Sequence, residues 1–196
     1  MKARDNIFAA IFGVIITVTS LIAAFLEIGL WYFPATIGVW LIFDYFSSMK
    51  NKNTTLQILK RSKKKFIFLY LLMLMLGCTI EVTGRFILKL WVYPFQTTAF
   101  LELLGVLFYP FILFSFREMY ESLSIIIKIR WLTLVSSMIL GICLWEIPNL
   151  FVYSWVYLIP IVKQEIFKIN IVVIIGWVLL ISLPVYIYNR LFKTSK

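Results

Sequence analysis

The 196-residue chain is 62% hydrophobic and only 14% charged, with a mean hydropathy of +0.96 and a formal net charge of +10. So little polar material cannot cover a soluble domain, which draws about half its residues from the apolar set, and runs that are continuous rather than alternating exclude a β-barrel. The positive charge gathers in short segments between the apolar runs, as the bias of cytoplasmic loops requires, so the expected partner is the lipid bilayer and not a nucleic acid.

A span needs about 20 apolar residues, and six are predicted, near 7–29, 34–49, 66–90, 98–117, 131–150 and 168–190. The first run begins at Ile7, is too long for a signal-peptide core and lacks a small-residue cleavage site, so it is read as a span. The second is short, which fits local thinning or a partly re-entrant course. Fifteen of the nineteen Lys and Arg residues fall on one side: Lys2 and Arg4, the run from Lys50 to Lys65, then Arg117, Lys128 and Arg130, and finally Arg190, Lys193 and Lys196. Arg85, Lys89, Lys163 and Lys168 lie toward the other side. Both termini are therefore expected in the cytoplasm, with the chain multi-pass in the cell membrane. The turns near residues 31, 94 and 160 then face outward. They are rich in the aromatic residues that favour the headgroup region: Trp31-Tyr32-Phe33-Pro34, Trp91-Val92-Tyr93-Pro94, and Trp155-Val156-Tyr157 with Pro160.

Gly13, Gly77 and Gly141 recur every 64 residues. Trp91-Val92-Tyr93 and Trp155-Val156-Tyr157 keep the same offset, and Glu81 and Glu146 follow their glycines closely. The fold class expected is all-α, a single transmembrane domain over 1–196 with an internal repeat of three helical hairpins, 1–64, 65–128 and 129–192. Repeats that share a topology are related by an axis along the membrane normal.

Ionisable residues inside a bilayer cost about 2.5–3.5 kcal/mol each on insertion scales and mark functional positions. At 1.5 Å per residue, Glu81 and Glu146 stand roughly 22 Å above the starts of their spans, toward the outer side of the core. Glu81, Arg85, Glu146 and Asn149, with Glu102, are the predicted outward polar pocket, and Pro148 would open the fifth helix beside it. Glu27, Trp31, Trp91, Tyr93, Trp155 and Tyr157 are its predicted rim. The competing reading is a buried Glu81–Arg85 ion pair, four residues apart on one helix face. Asp44 falls about 9 Å above the cytoplasmic end of the short span. Arg117, Glu118 and Glu121 are expected as solvated charges at a helix end. The chain has no histidine, and Cys78 and Cys143 form no metal spacing, so no metal and no cofactor is expected.

The residues Glu81, Gly84, Trp91-Val92-Tyr93-Pro94, Tyr109-Pro110 and Glu118 resemble small membrane domains of the lycopene-cyclase type over about 40 residues. The Pro-x-Glu-Glu signature of that family is absent, since Pro110 and Glu118 stand eight residues apart. The same glutamates and aromatic-proline turns resemble small, uncharacterised multi-pass membrane proteins of Gram-positive bacteria, a resemblance that implies no activity. Three functions follow as expectations. One is small-molecule transport or a membrane-complex subunit with a pocket for a small-molecule or lipid ligand. The second is an enzyme acting on a lipid or isoprenoid through a buried Glu as proton donor. The third is a structural or regulatory protein with a closed interior.

Overall fold

An apolar run in lipid satisfies its own N–H and C=O groups only as a helix. Helices dominate the computed structural model, which describes residues 4–50, 53–159, 165–166 and 169–192. Lys2, Lys52, Pro160, Lys163, Lys168, Lys193 and Lys196 lie outside the described residues. The helices are α1 (Arg4–Phe25), α2 (Tyr32–Ser48), α3 (Thr55–Arg61), α4 (Lys63–Ile87), α5 (Ala99–Ile126), α6 (Arg130–Val152) and α7 (Ile171–Phe192). Among the described residues α1, α4, α5, α6 and α7 are long and apolar enough to cross a membrane, whereas α2 has only 17 residues. Their outer faces carry exposed Phe8, Phe12, Phe68, Met75, Ile175 and Leu179, a surface that water does not favour and lipid does.

Helix α5 is the spine. It packs against α2, α4, α6 and α7, and contributes the buried Leu113, Phe114, Phe116 and Met119 to the main core. Helix α1 lies along α2 where two glycines face each other: a Cβ on Gly13 would sit 2.7 Å from the Gly38 carbonyl, and one on Gly38 2.7 Å from that of Gly13. Short polar caps start three of the helices. The hydroxyls of Thr54, Ser62 and Thr98 accept from Gln57, Lys65 and Leu101 backbone N–H groups at the starts of α3, α4 and α5.

Helix α5 also corrects an expectation. It runs on to Ile126 rather than ending near 117, because Arg117, Glu118 and Glu121 are buried rather than solvated. Glu118 Oε1 accepts from the Thr55 backbone at 2.8 Å and its hydroxyl at 2.9 Å, and from Arg117 at 2.5 Å, while Oε2 accepts from the Ser47 hydroxyl. Asp44 accepts from Thr54 Oγ1 at 2.9 Å and from the Leu56 backbone at 2.8 Å. The Arg117 guanidinium lies 3.6 Å from the centre of the Tyr188 ring. Two carboxylates thus pin the start of α3 to α2 and α5, and give buried charges the partners they need.

At the opposite end the three aromatic turns meet. Strand β1 (Trp91–Val92) pairs antiparallel with β2 (Val156–Tyr157), with Trp91 opposite Tyr157 and Val92 opposite Val156. A second small pair joins β3 (Glu165–Ile166) to β4 (Ile169–Asn170). Trp31 Nε1 donates to Ser154 Oγ at 3.0 Å, its ring stacks on Trp155 at 6.3 Å, and Gln96 Nε2 donates to the Tyr32 hydroxyl at 2.6 Å.

Candidate functional site

Glu146 sits at the end of a π-helical stretch, Ile142–Glu146, set into α6. Its side chain is surrounded by donors. Tyr157 Oη donates to Oε1 at 2.7 Å, Trp177 Nε1 to Oε1 at 3.0 Å, and Trp155 Nε1 to Oε2 at 3.4 Å. Asn149, about one turn further along α6, clamps the Trp155 backbone through both amide atoms, at 2.9 and 3.1 Å, so the indole is held at the carboxylate. Tyr153 closes α6 in the left-handed conformation and turns the chain toward β2.

Glu81 is served by the same set of groups. Trp91 Nε1 donates to Oε1 at 3.4 Å and Tyr93 Oη to Oε2 at 3.3 Å, and Tyr109 of α5 lines the same hollow as the carboxylate. A glycine seats the partner helix's ring each time. A Cβ on Gly77 would fall 2.6 Å from the Tyr109 ring, and one on Gly141 2.6 Å from that of Trp177. Gly77 and Glu81 are four residues apart, Gly141 and Glu146 five. The wider turn of the π segment absorbs the extra residue and keeps Glu146 on the face of its glycine. In α4 the π segment, Val82–Ile87, follows the glutamate instead, and it brings Gly84 under Trp91.

Burial first, and then the neighbouring Glu146 charge, push the Tyr157 phenol well above its ordinary range. Burial, and then Tyr109 and Glu81, do the same for Tyr93. Both phenols stay protonated at neutral pH and act as donors to their carboxylates.

Between the two clusters lies a chamber of about 100 Å³. Trp91, Tyr93 and Tyr109 form one wall, Trp145, Trp155 and Trp177 another, with Tyr32 and Phe116 between them. The glutamates stand behind these rings. Glu81 lines an adjoining hollow of about 130 Å³ that reaches Arg85, Gln96 and Glu102. Glu146 lines an apolar hollow of about 280 Å³ between Trp91 and α7.

The predicted pocket residues are therefore near one another but divide their work. Arg85 does not pair chiefly with Glu81: it binds Glu102 through two bonds of 2.6 Å and lies 3.8 Å from Glu81. Asn149 positions Trp155 rather than lining a hollow. Of the predicted rim, Trp91, Tyr93, Trp155 and Tyr157 reach the hollows. Trp31 is buried against Ser154 behind Trp155, and Glu27 is exposed in the α1–α2 turn at φ 59°. Tyr32 was expected only as part of an interfacial turn, and Gln96 as an ordinary loop residue; Tyr109, Trp145 and Trp177 were not expected at the site, because single aromatics within apolar runs look like any other packing residue. Their signal was the spacing of the glycines that seat two of them. Among the described residues no cluster of three or more Asp, Glu, Cys or His side chains is placed to hold a metal.

No family model matches the chain, and no curated protein and no solved structure is significantly similar to it.

Proposed function

We propose that this chain is a six-span protein of the cell membrane that binds a small molecule in the aromatic chamber, as a transporter or as the binding subunit of a membrane complex. The observation that carries the reading is the chamber itself. Packed interiors leave few voids larger than a water molecule, yet here three adjoining hollows share walls of Trp and Tyr side chains fixed by buried hydrogen bonds. Concave, mostly apolar sites with a few placed polar groups are the usual form of a ligand pocket. The hollow beside Glu102 supplies the approach, since that side chain is 36% exposed.

The membrane frame belongs to the same reading. Helix α2 is the short sixth span, and both termini with the basic loops lie in the cytoplasm, so the chamber is in the outer half. We read segments 65–128 and 129–192 as a repeat: each carries a glycine, a glutamate four or five residues on and a Trp-x-Tyr turn, and the two turns pair with Val92 opposite Val156. Segment 1–64 is the divergent member, since Glu27 has no such cluster. A proton-donor role for the glutamates is disfavoured because the indole N–H groups of Trp91, Trp155 and Trp177 can only donate to them, which favours the ionised carboxylate.

The test is solvent access at positions 81 and 146, by single-cysteine labelling from each side of the membrane in a background lacking Cys78 and Cys143. Labelling of both from outside is expected. No labelling from either side would make the clusters structural and remove the pocket.

A further inference from the structure

The rings of the chamber and the carboxylates behind them select a charge. Three acidic side chains, Glu81, Glu102 and Glu146, line the adjoining hollows, against one cation, Arg85. Arg85 is committed to Glu102 through two 2.6 Å bonds, and Glu146 has no cationic neighbour among the described residues. An indole N–H can only donate, and Glu146 accepts two of them as well as the Tyr157 hydroxyl. That arrangement fits an ionised carboxylate, and a buried carboxylate lacking a cation calls for one.

The walls say which kind of cation. They present Trp and Tyr faces rather than the carbonyl and carboxylate oxygens that a hydrated metal ion requires. Aromatic faces attract an ammonium group through the ring quadrupole, most strongly at Trp, and quaternary ammonium groups are recognised in such aromatic cages. Several of these rings also donate their N–H or O–H to a carboxylate, which makes their faces more negative. A separate observation concerns the ligand's other end. Trp145 lines the chamber and is only 4% exposed, yet its Nε1 finds no acceptor among the described residues. A hydroxyl or carbonyl oxygen on the ligand would satisfy it.

We propose that the chamber binds a small organic cation, an alkylated ammonium group carrying a hydrogen-bond acceptor a few bonds away. This rests on the chamber being a ligand site, and the test separates the two ideas. The purified chain in lipid nanodiscs is titrated with choline and with 3,3-dimethylbutan-1-ol, its neutral carbon isostere, and tryptophan fluorescence is followed. Choline is expected to give a saturable change, with the isostere weaker by about tenfold or more, a charge preference of the size cation–π contacts supply when desolvated. Glu146→Gln should weaken choline by a similar factor and leave the isostere unchanged. Arg85→Gln replaces no ring of the chamber and removes the competing positive charge that lies 5.3 Å from the Tyr93 ring, so it should tighten choline severalfold. It remains decisive if Glu146→Gln fails to fold. Equal binding of the two probes, unmoved by Arg85→Gln, would overturn the cation while leaving a ligand chamber in place. Binding of neither probe, with positions 81 and 146 still labelled from outside, would overturn the cation and leave the pocket. Binding of neither, with no labelling, would overturn both.

Discussion

Gly84→Ala probes the joint between the π segment of α4 and the chamber wall. A Cβ at Gly84 would stand 1.7 Å from Trp91 Cη2 and 2.2 Å from Cζ3, so the indole must move. Moving it strains a packed site, at about 1–3 kcal/mol, and loosens the 3.4 Å Trp91–Glu81 hydrogen bond, worth about 1 kcal/mol. The alanine recovers roughly 0.5–1 kcal/mol of backbone entropy. The net loss is about 1–3 kcal/mol, or a Tm lowered by roughly 3–10 °C for a chain of this size. Gly176→Ala is the matched control, because nothing lies within 4 Å of its added Cβ although it borders the apolar hollow. It should leave Tm unchanged or raise it slightly. Thermal unfolding of both variants in the same detergent, followed by tryptophan fluorescence, measures the difference. A Gly84→Ala transition equal to that of Gly176→Ala would refute the reasoning that Trp91 is held in place by the absent side chain.

Three further expectations can be measured in the same way. Glu118→Ala leaves the buried Arg117 without its carboxylate and should cost about 3–5 kcal/mol; a loss under about 1 kcal/mol would show that Asp44 or water takes over. Trp31→Phe removes the donor to Ser154 while keeping the ring against Trp155, and should cost about 0.5–1.5 kcal/mol, read as a lower Tm that Ser154→Ala does not lower further. The phenols of Tyr93 and Tyr157 are raised by burial, so the unfolded chain releases their protons first. Stability is then full below about pH 10, the ordinary tyrosine value, and falls as pH rises above it. Tyr157→Phe should make that alkaline fall shallower, and a slope equal to wild type would contradict the assignment.

The apolar runs that became α1, α4, α5, α6 and α7 were legible because hydropathy over 20 residues depends on composition alone. The aromatic turns were legible too, from their Trp and Tyr content, and in the fold all three meet at one end. The extension of α5 was not. Arg117, Glu118 and Glu121 read as helix-end charges because their partners, Ser47, Thr55 and the Tyr188 ring, come from segments far along the chain, and ordinary threonines and serines carry no mark of being acceptor-facing. In the chamber the glutamates stood out by their cost in lipid, whereas Trp177 did not stand out at all and Tyr109 did so only as part of a resemblance, not as a neighbour of Glu81. The spacing of Arg85 told part of its role: it lies 3.8 Å from Glu81, the helical pair expected, but Glu102 on α5 offers both carboxylate oxygens to the planar guanidinium, a geometry that a neighbour on the same helix reaches poorly.

The most direct test of a ligand-binding aromatic chamber is the NMR shift of choline labelled with ¹³C in its N-methyl groups, bound to the chain in nanodiscs. Ring currents from Trp91, Trp145, Trp155 and Trp177 should move the bound methyl resonance upfield of free choline, and Glu146→Gln should shrink the shifted population at equal choline concentration. A methyl resonance that stays at its free position at saturating protein would contradict the chamber as the site of an organic cation.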